Sequence, residues 1–332
     1  MSSHRSSWPR RLALWTVALA LLAAVLVWQD YSFAEAGAAL STVGPLGIVA
    51  VCAFHLVPLV LDAVAWRVLM PSDSMLSLGR ASLARWIGEG VGALIPSAQV
   101  GGELARLRAG AILGLPGAVA GATVLVDVTL GIVTQIVYSI AGIAALFLLS
   151  SESSGLVMQI TLGLVVFAVL IAGFVVAQLG SPMRRLAELL GPIVGEHAQD
   201  RLLHNARTAD AVLNSIYSRH RSLSVSATWR LAAWLAGAGE FWLGMYLLGH
   251  PIGILEAVML ESLVQAARNA AFLVPAGLGV QEATLIGLGA AIGIPAEAAI
   301  GLSLLKRIRE LALGVPSLVA WSILERRATA PS

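Results

Sequence analysis

The chain has 332 residues, of which 58% are apolar or aromatic (AVILMFWYC) and only 12% are Asp, Glu, Lys or Arg, with a mean hydropathy of +0.85. Globular domains carry about 25% charged residues, so half that proportion cannot cover a soluble surface, and a soluble enzyme, a disordered chain and a disulfide-framed secreted module are all excluded. Cys52 is the single cysteine, so no internal disulfide can form.

A bilayer core needs about 20 apolar residues per helix. Runs that meet this are 12–28, read as an uncleaved first span, then 43–66, 115–149, 157–179 and 229–248. A last run, 298–324, is interrupted by Lys306, Arg307, Arg309 and Glu310. Two further stretches, 82–110 and 252–292, are apolar but broken by Pro, Gly and charge. Seventeen of the 21 basic residues fall in the N-terminus, in 67–108, in 184–230 and at Arg326–Arg327. Basic loops face the cytoplasm, so both termini are expected inside a bacterial inner membrane. With the loop sides so fixed, 82–110 enters and leaves from the cytoplasm and 252–292 from the outside. The prediction is an all-α polytopic bundle of six crossings with two re-entrant hairpins; eight crossings would keep the same loop sides.

The two breaks match. The first reads Pro96-Ser-Ala-Gln-Val-Gly101-Gly102-Glu103 and the second Pro275-Ala-Gly277-Leu-Gly279-Val-Gln-Glu282. Each has Pro, two Gly and a Glu seven residues after the Pro. With opposite orientations, the pair predicts an inverted repeat, an architecture of transporters with broken helices at mid-membrane. Unwound backbone is tolerated there only against protein or a wet cavity. The chain is therefore expected to be one transmembrane domain, 1–332, with halves 1–179 and 231–332. The linker 180–230 carries an amphipathic helix, with Leu202, Ala206, Ala209, Leu213 and Ile216 on one face and Arg201, Asn205, Arg207, Asp210 and Asn214 on the other.

An ionised side chain at mid-membrane costs about 2.5–3.5 kcal/mol on insertion scales, so charges in these runs need partners or a function. Asp127 lies halfway along a run without a cation of its own, so its partner must come from another helix. Glu261, Gln265 and Arg268 share a helical face, and Glu240 sits within 229–248. Glu310 can pair with Lys306 and Arg307 at offsets of four and three, which leaves Arg309 and one other cation free to face inward. The candidate polar path is Glu103, Arg106, Asp127, Arg268, Glu282, Arg307 and Arg309. The histidines form no H-x-x-H or H-x-x-x-H pair, and there is no Walker A sequence or G-x-S-x-G elbow. No metal, cofactor or nucleic acid is expected.

The segment from Glu89 through Pro96 to Gly102-Glu103-Leu-Ala-Arg106 resembles the flippase-like transmembrane region of lysylphosphatidylglycerol synthases. The later segment Pro275 to Glu282, followed by the cations Lys306–Arg309, is similar to that family's second signature. Ala65-Trp-Arg67 and Val126-Asp-Val-Thr129 look more like the branch associated with hopanoid biosynthesis clusters. Related sequences often carry Asn where this chain has Gly92-Ala93. The resemblance implies an inner-membrane protein that moves or handles lipids of polar or anionic headgroup, hopanoids included, without the soluble aminoacyl-transferase domain of the full-length synthases. Two rival expectations are a membrane-embedded enzyme acting on a lipid or polyprenyl substrate with Glu103 or Asp127 as base, and an accessory subunit of a lipid-synthesis complex.

Overall fold

The computed structural model describes residues 33–95, 100–149, 196–271 and 279–329. The predicted spans 12–28 and 157–179, together with Pro96, Pro275 and Gly277, lie outside the described residues. Nine α-helices and one short 3-10 turn, with no strand, make up the described residues. They are α1 (Phe33–Leu69), α2 (Leu78–Leu94), α3 (Val100–Ile112), α4 (Gly117–Leu149), α5 (Glu196–Ser218), α6 (His220–Leu247), α7 (Ile254–Ala270), α8 (Val280–Ala291) and α9 (Ala296–Thr329). Helices α1 to α4 have 37, 17, 13 and 33 residues, α1 being broken by a kink at Gly44 (φ 65°), and α6 to α9 have 28, 17, 12 and 34. The order long, short, short, long thus occurs twice.

Local chemistry sets the boundaries. Ser77 caps α2 by accepting from the Arg80 amide, which satisfies one of the helix's unpaired N–H groups. Gly279, with φ 76°, starts α8 in the left-handed region that favours glycine. The shared Pro-to-Glu spacing places Glu103 in the first turn of α3 and Glu282 in the first turn of α8. There a carboxylate meets the positive end of the helix dipole.

Each pair of short helices folds back on itself. Gly88 of α2 and Gly102 of α3 bring their backbones so close that a Cβ on Gly102 would lie 2.6 Å from the Gly88 carbonyl oxygen. Helices α7 and α8 are joined by Arg268 Nη1, which donates to Gln281 Oε1 at 2.8 Å. Helix α1 packs along α6, and α9 lies against α2, α1 and α8. Helix α5 sits under the bundle, with Leu213 and Ile216 packed against Leu69, Ala122 and Val126. Asp210, predicted on the polar face of that helix, is buried instead.

The polarity of the molecule is turned inside out. Leu46 and Leu148 are 83% and 78% exposed, while Arg106 and Asp127 are 1% and 0% exposed. Soluble proteins almost never bury unpaired charge; an apolar exterior around a charged core suits a lipid solvent. Two stretches, Ser41–Leu69 and Gly117–Leu149, are long and apolar enough to cross a membrane. They coincide with the predicted runs 43–66 and 115–149.

Candidate functional site

Five helices contribute to a closed ring of alternating charge. Glu103 and Arg106 of α3 approach to 2.6 Å, and Arg106 reaches Asp127 of α4 at 2.5 Å. Asp127 also accepts from Arg230 of α6. Arg230 holds Asp62 of α1 at 3.0 Å, Asp62 holds Arg85 of α2 at 2.7 Å, and Arg85 returns to Glu103 at 3.9 Å. Three carboxylates and three guanidiniums close the circle. Arg106 also lies over the Trp66 ring, 5.1 Å from its centroid, where the ring's negative face attracts the cation. The expected partner for Asp127 from another helix is therefore found twice, on α3 and on α6.

A second network runs along α9. Glu310 binds Arg268 of α7 at 3.1 Å and Arg307 at 3.4 Å. Arg307 also reaches Glu282 of α8 at 3.3 Å. Ser303 donates to Glu282 at 2.7 Å, and Gln281 donates to Ser303 at 2.7 Å. Arg309 binds Glu240 of α6 at 3.1 Å. His55 of α1 lies 2.6 Å from Glu89 of α2 and 2.7 Å from Glu240.

Between the networks is a cavity of about 240 Å³. It is lined by Asp62, Arg85, Glu103 and Arg106 of the ring, by His55, Glu89, Glu240, Glu261, Gln265, Arg268, Lys306, Arg309 and Glu310, and by Trp234 and Phe241. Both helix hairpins reach it, the first through Gly88, Gly92 and Gly102 and the second through Gln265 and Arg268. Of the predicted path, Glu103, Arg106, Arg268 and Arg309 line the cavity. Asp127, Glu282 and Arg307 do not; they stand behind it, each bound to a residue of another helix.

Two expectations about the cations change. Arg309 faces the cavity as expected but is not free, because Glu240 from α6 holds it. Glu310 does not take Lys306, because Arg268 arrives from α7 and, with Arg307, occupies the carboxylate. Lys306 turns to Phe241 instead, with Nζ 4.2 Å from the ring centroid. Among the described residues no carboxylate approaches Lys306 within salt-bridge distance. Arg230, assigned by the loop-charge pattern to the cytoplasmic linker, is buried a third of the way along α6.

Several site residues escape pattern reading. Asp62 and His55 sit in the apolar run 43–66 without a local counter-ion, the same signal that marks Asp127. Arg85 and Glu89, by contrast, stand out in the sequence as charges within the broken apolar stretch 82–110, four apart on one face of α2.

No curated protein and no solved structure matches the chain. A family model, that of the lysylphosphatidylglycerol synthase TM region, matches residues 14–317, as the motifs around Glu103 and Glu282 lead one to expect. With its buried charge, its apolar exterior and its two pairs of short helices, this chain is a membrane protein that belongs to the lysylphosphatidylglycerol synthase transmembrane family.

Proposed function

We propose that the protein carries the polar headgroup of a membrane lipid through the cavity between its two hairpins while the acyl tails stay in the bilayer. The observation that carries this is the cavity itself, a charged space of about 240 Å³ inside an apolar exterior. Drug-sized ligands occupy about 300–1,000 Å³, so the space suits a headgroup and not a whole lipid. Lys306, which no carboxylate among the described residues approaches within salt-bridge distance, supplies a point charge of the kind that binds phosphate. Arg268 lines the same cavity.

The matched breaks and the twice-run helix order support an inverted repeat with re-entrant hairpins, one opening to each side of a bacterial inner membrane, and with both termini cytoplasmic. The substrates in this reading are lipids of anionic or otherwise polar headgroup, hopanoids among them. The role is transport and not catalysis.

The test is reconstitution of the full chain in vesicles of phosphatidylcholine and phosphatidylglycerol that contain fluorescent phosphatidylglycerol. Dithionite quenching of the outer leaflet then follows probe movement. Wild type is expected to expose inner-leaflet probe faster than empty vesicles, and Glu103→Gln and Arg268→Gln to slow it. Equal rates in protein-containing and empty vesicles would overturn the proposal.

A further inference from the structure

His55 has no part in the headgroup path drawn above, yet its surroundings are the most conflicted in the cavity. It stands in α1 with Nε2 2.6 Å from Glu89 Oε1 and Nδ1 2.7 Å from Glu240 Oε2. A neutral imidazole has one N–H, so donation to both carboxylates requires the imidazolium. Arg309 competes for the same two acids, with Nε 3.1 Å from Glu240 and Nη1 3.6 Å from Glu89. Its Nη1 also lies 2.7 and 2.8 Å from the two ring nitrogens. Equidistant from both nitrogens, the guanidinium lies against the ring and not on either nitrogen's in-plane bonding direction, so its positive charge disfavours a second positive charge on the imidazole. The two carboxylates favour the imidazolium, the adjacent guanidinium charge opposes it, and one proton decides.

The other charged groups around the site belong to the ring or to the α9 network, except Glu261 of α7. Glu261 lines the same cavity and has no cation within salt-bridge distance among the described residues; the His55→Gln variant in the test below separates it from His55. Arg85 stands one turn from Glu89 on α2, Arg230 lies on α6, Asp127 on α4 and Asp62 on α1; all four belong to the closed ring. On α9, Glu310 is held by Arg268 and Arg307, and Lys306 rests on Phe241. Cys52 lies one turn before His55 on α1.

We infer that His55 is a proton-binding site that couples proton movement to headgroup movement, an inference that rests on the transport function proposed above. With the proton on His55, the two acids and two bases of the cluster are neutral together, and Lys306 is free to attract an anionic headgroup. Loss of the proton to cavity water leaves the cluster with one net negative charge. Glu89, the most exposed member at 33%, then loses a donor and repels the anion. Proton and anionic headgroup therefore bind together and leave together, and by linkage each raises the affinity for the other. Histidine, with an ordinary pKa of about 6.5, is the side chain suited to such an exchange.

The test imposes a pH difference across vesicles holding the full chain and fluorescent phosphatidylglycerol. Wild type is expected to accumulate the probe in the leaflet facing the alkaline side, by up to about tenfold per pH unit for one proton per headgroup. His55→Gln is expected to lose this asymmetry, and Glu89→Gln, which keeps the histidine but removes one carboxylate, to lose it too. Wild type that moves the probe without asymmetry would overturn the coupling while leaving the transport function standing, as would a His55→Gln protein that still concentrates it. Should wild type move no probe, the transport function fails and infrared titration decides the proton site. An imidazole band that changes between about pH 5 and about pH 9 and is missing in His55→Gln supports the site, and its absence from wild type overturns it.

Discussion

Arg106 and Asp127 meet at 2.5 Å with side-chain exposures of 1% and 0%. They come from the second arm of the first hairpin and from the long helix that follows it. Their contact fixes the hairpin to the bundle, and through Arg230 and Asp62 the same contact reaches α6 and α1. The ring is a brace as well as a wall of the cavity.

Removal of one member of a buried ion pair leaves the other charge uncompensated, at a cost of about 3–5 kcal/mol. Asp127→Ala leaves both Arg106 and Arg230 short of an anion. It is expected to lower the thermal unfolding midpoint in detergent sharply, whereas Arg108→Ala, which removes only the exposed pair with Glu325, leaves the midpoint unchanged.

The first hairpin depends on backbone contact between α2 and α3. Gly102→Ala places a Cβ 2.6 Å from the Gly88 carbonyl oxygen, and forced overpacking typically costs about 1–3 kcal/mol. Gly92→Ala meets nothing nearer than 3.8 Å. Unfolding midpoints of the two variants are expected to differ clearly, with Gly92→Ala close to wild type.

Lys306 is expected to act in binding more than in folding. A hydrogen bond to a charged group contributes about 1.5–3 kcal/mol, so Lys306→Ala is expected to weaken binding of short-chain phosphatidylglycerol by about tenfold or more, measured by calorimetry in detergent. Lys306→Arg retains the cation and most of the affinity. Binding of uncharged short-chain diacylglycerol is expected to stay the same in both variants.

Much of the fold was legible because lipid constrains it so strongly. The apolar runs 43–66 and 115–149 are found in the structure as α1 and α4, whereas Gly101 and Gly102, expected to break the first hairpin, lie inside the helix α3, which begins at Val100. Asp127, a lone acid in an apolar run, correctly announced partners on other helices. Which partners they were could not be read, because the ring joins residues up to 168 positions apart, as Arg230 and Asp62 are. Loop charge placed Arg230 in the linker because that rule counts basic residues without knowing which face acids buried elsewhere. Within α9 the expected pair of Glu310 with Arg307 forms, but the one with Lys306 does not, for a similar reason. Offsets of three and four describe an isolated helix, whereas Arg268 reaches Glu310 from another one. His55 was overlooked because its significance comes from Glu89, Glu240 and Arg309, none of them close in sequence.

Whether a headgroup enters the cavity is tested most directly by photolabelling. Phosphatidylglycerol with a diazirine on its headgroup is irradiated with the full chain in vesicles, and labelled peptides are mapped by mass spectrometry. Entry into the cavity predicts label on the stretch of α6 that holds Ala233, Trp234 and Phe241, reduced in Lys306→Ala. Label confined to outward-facing residues such as Leu46 and Leu148, with those three untouched, would contradict it.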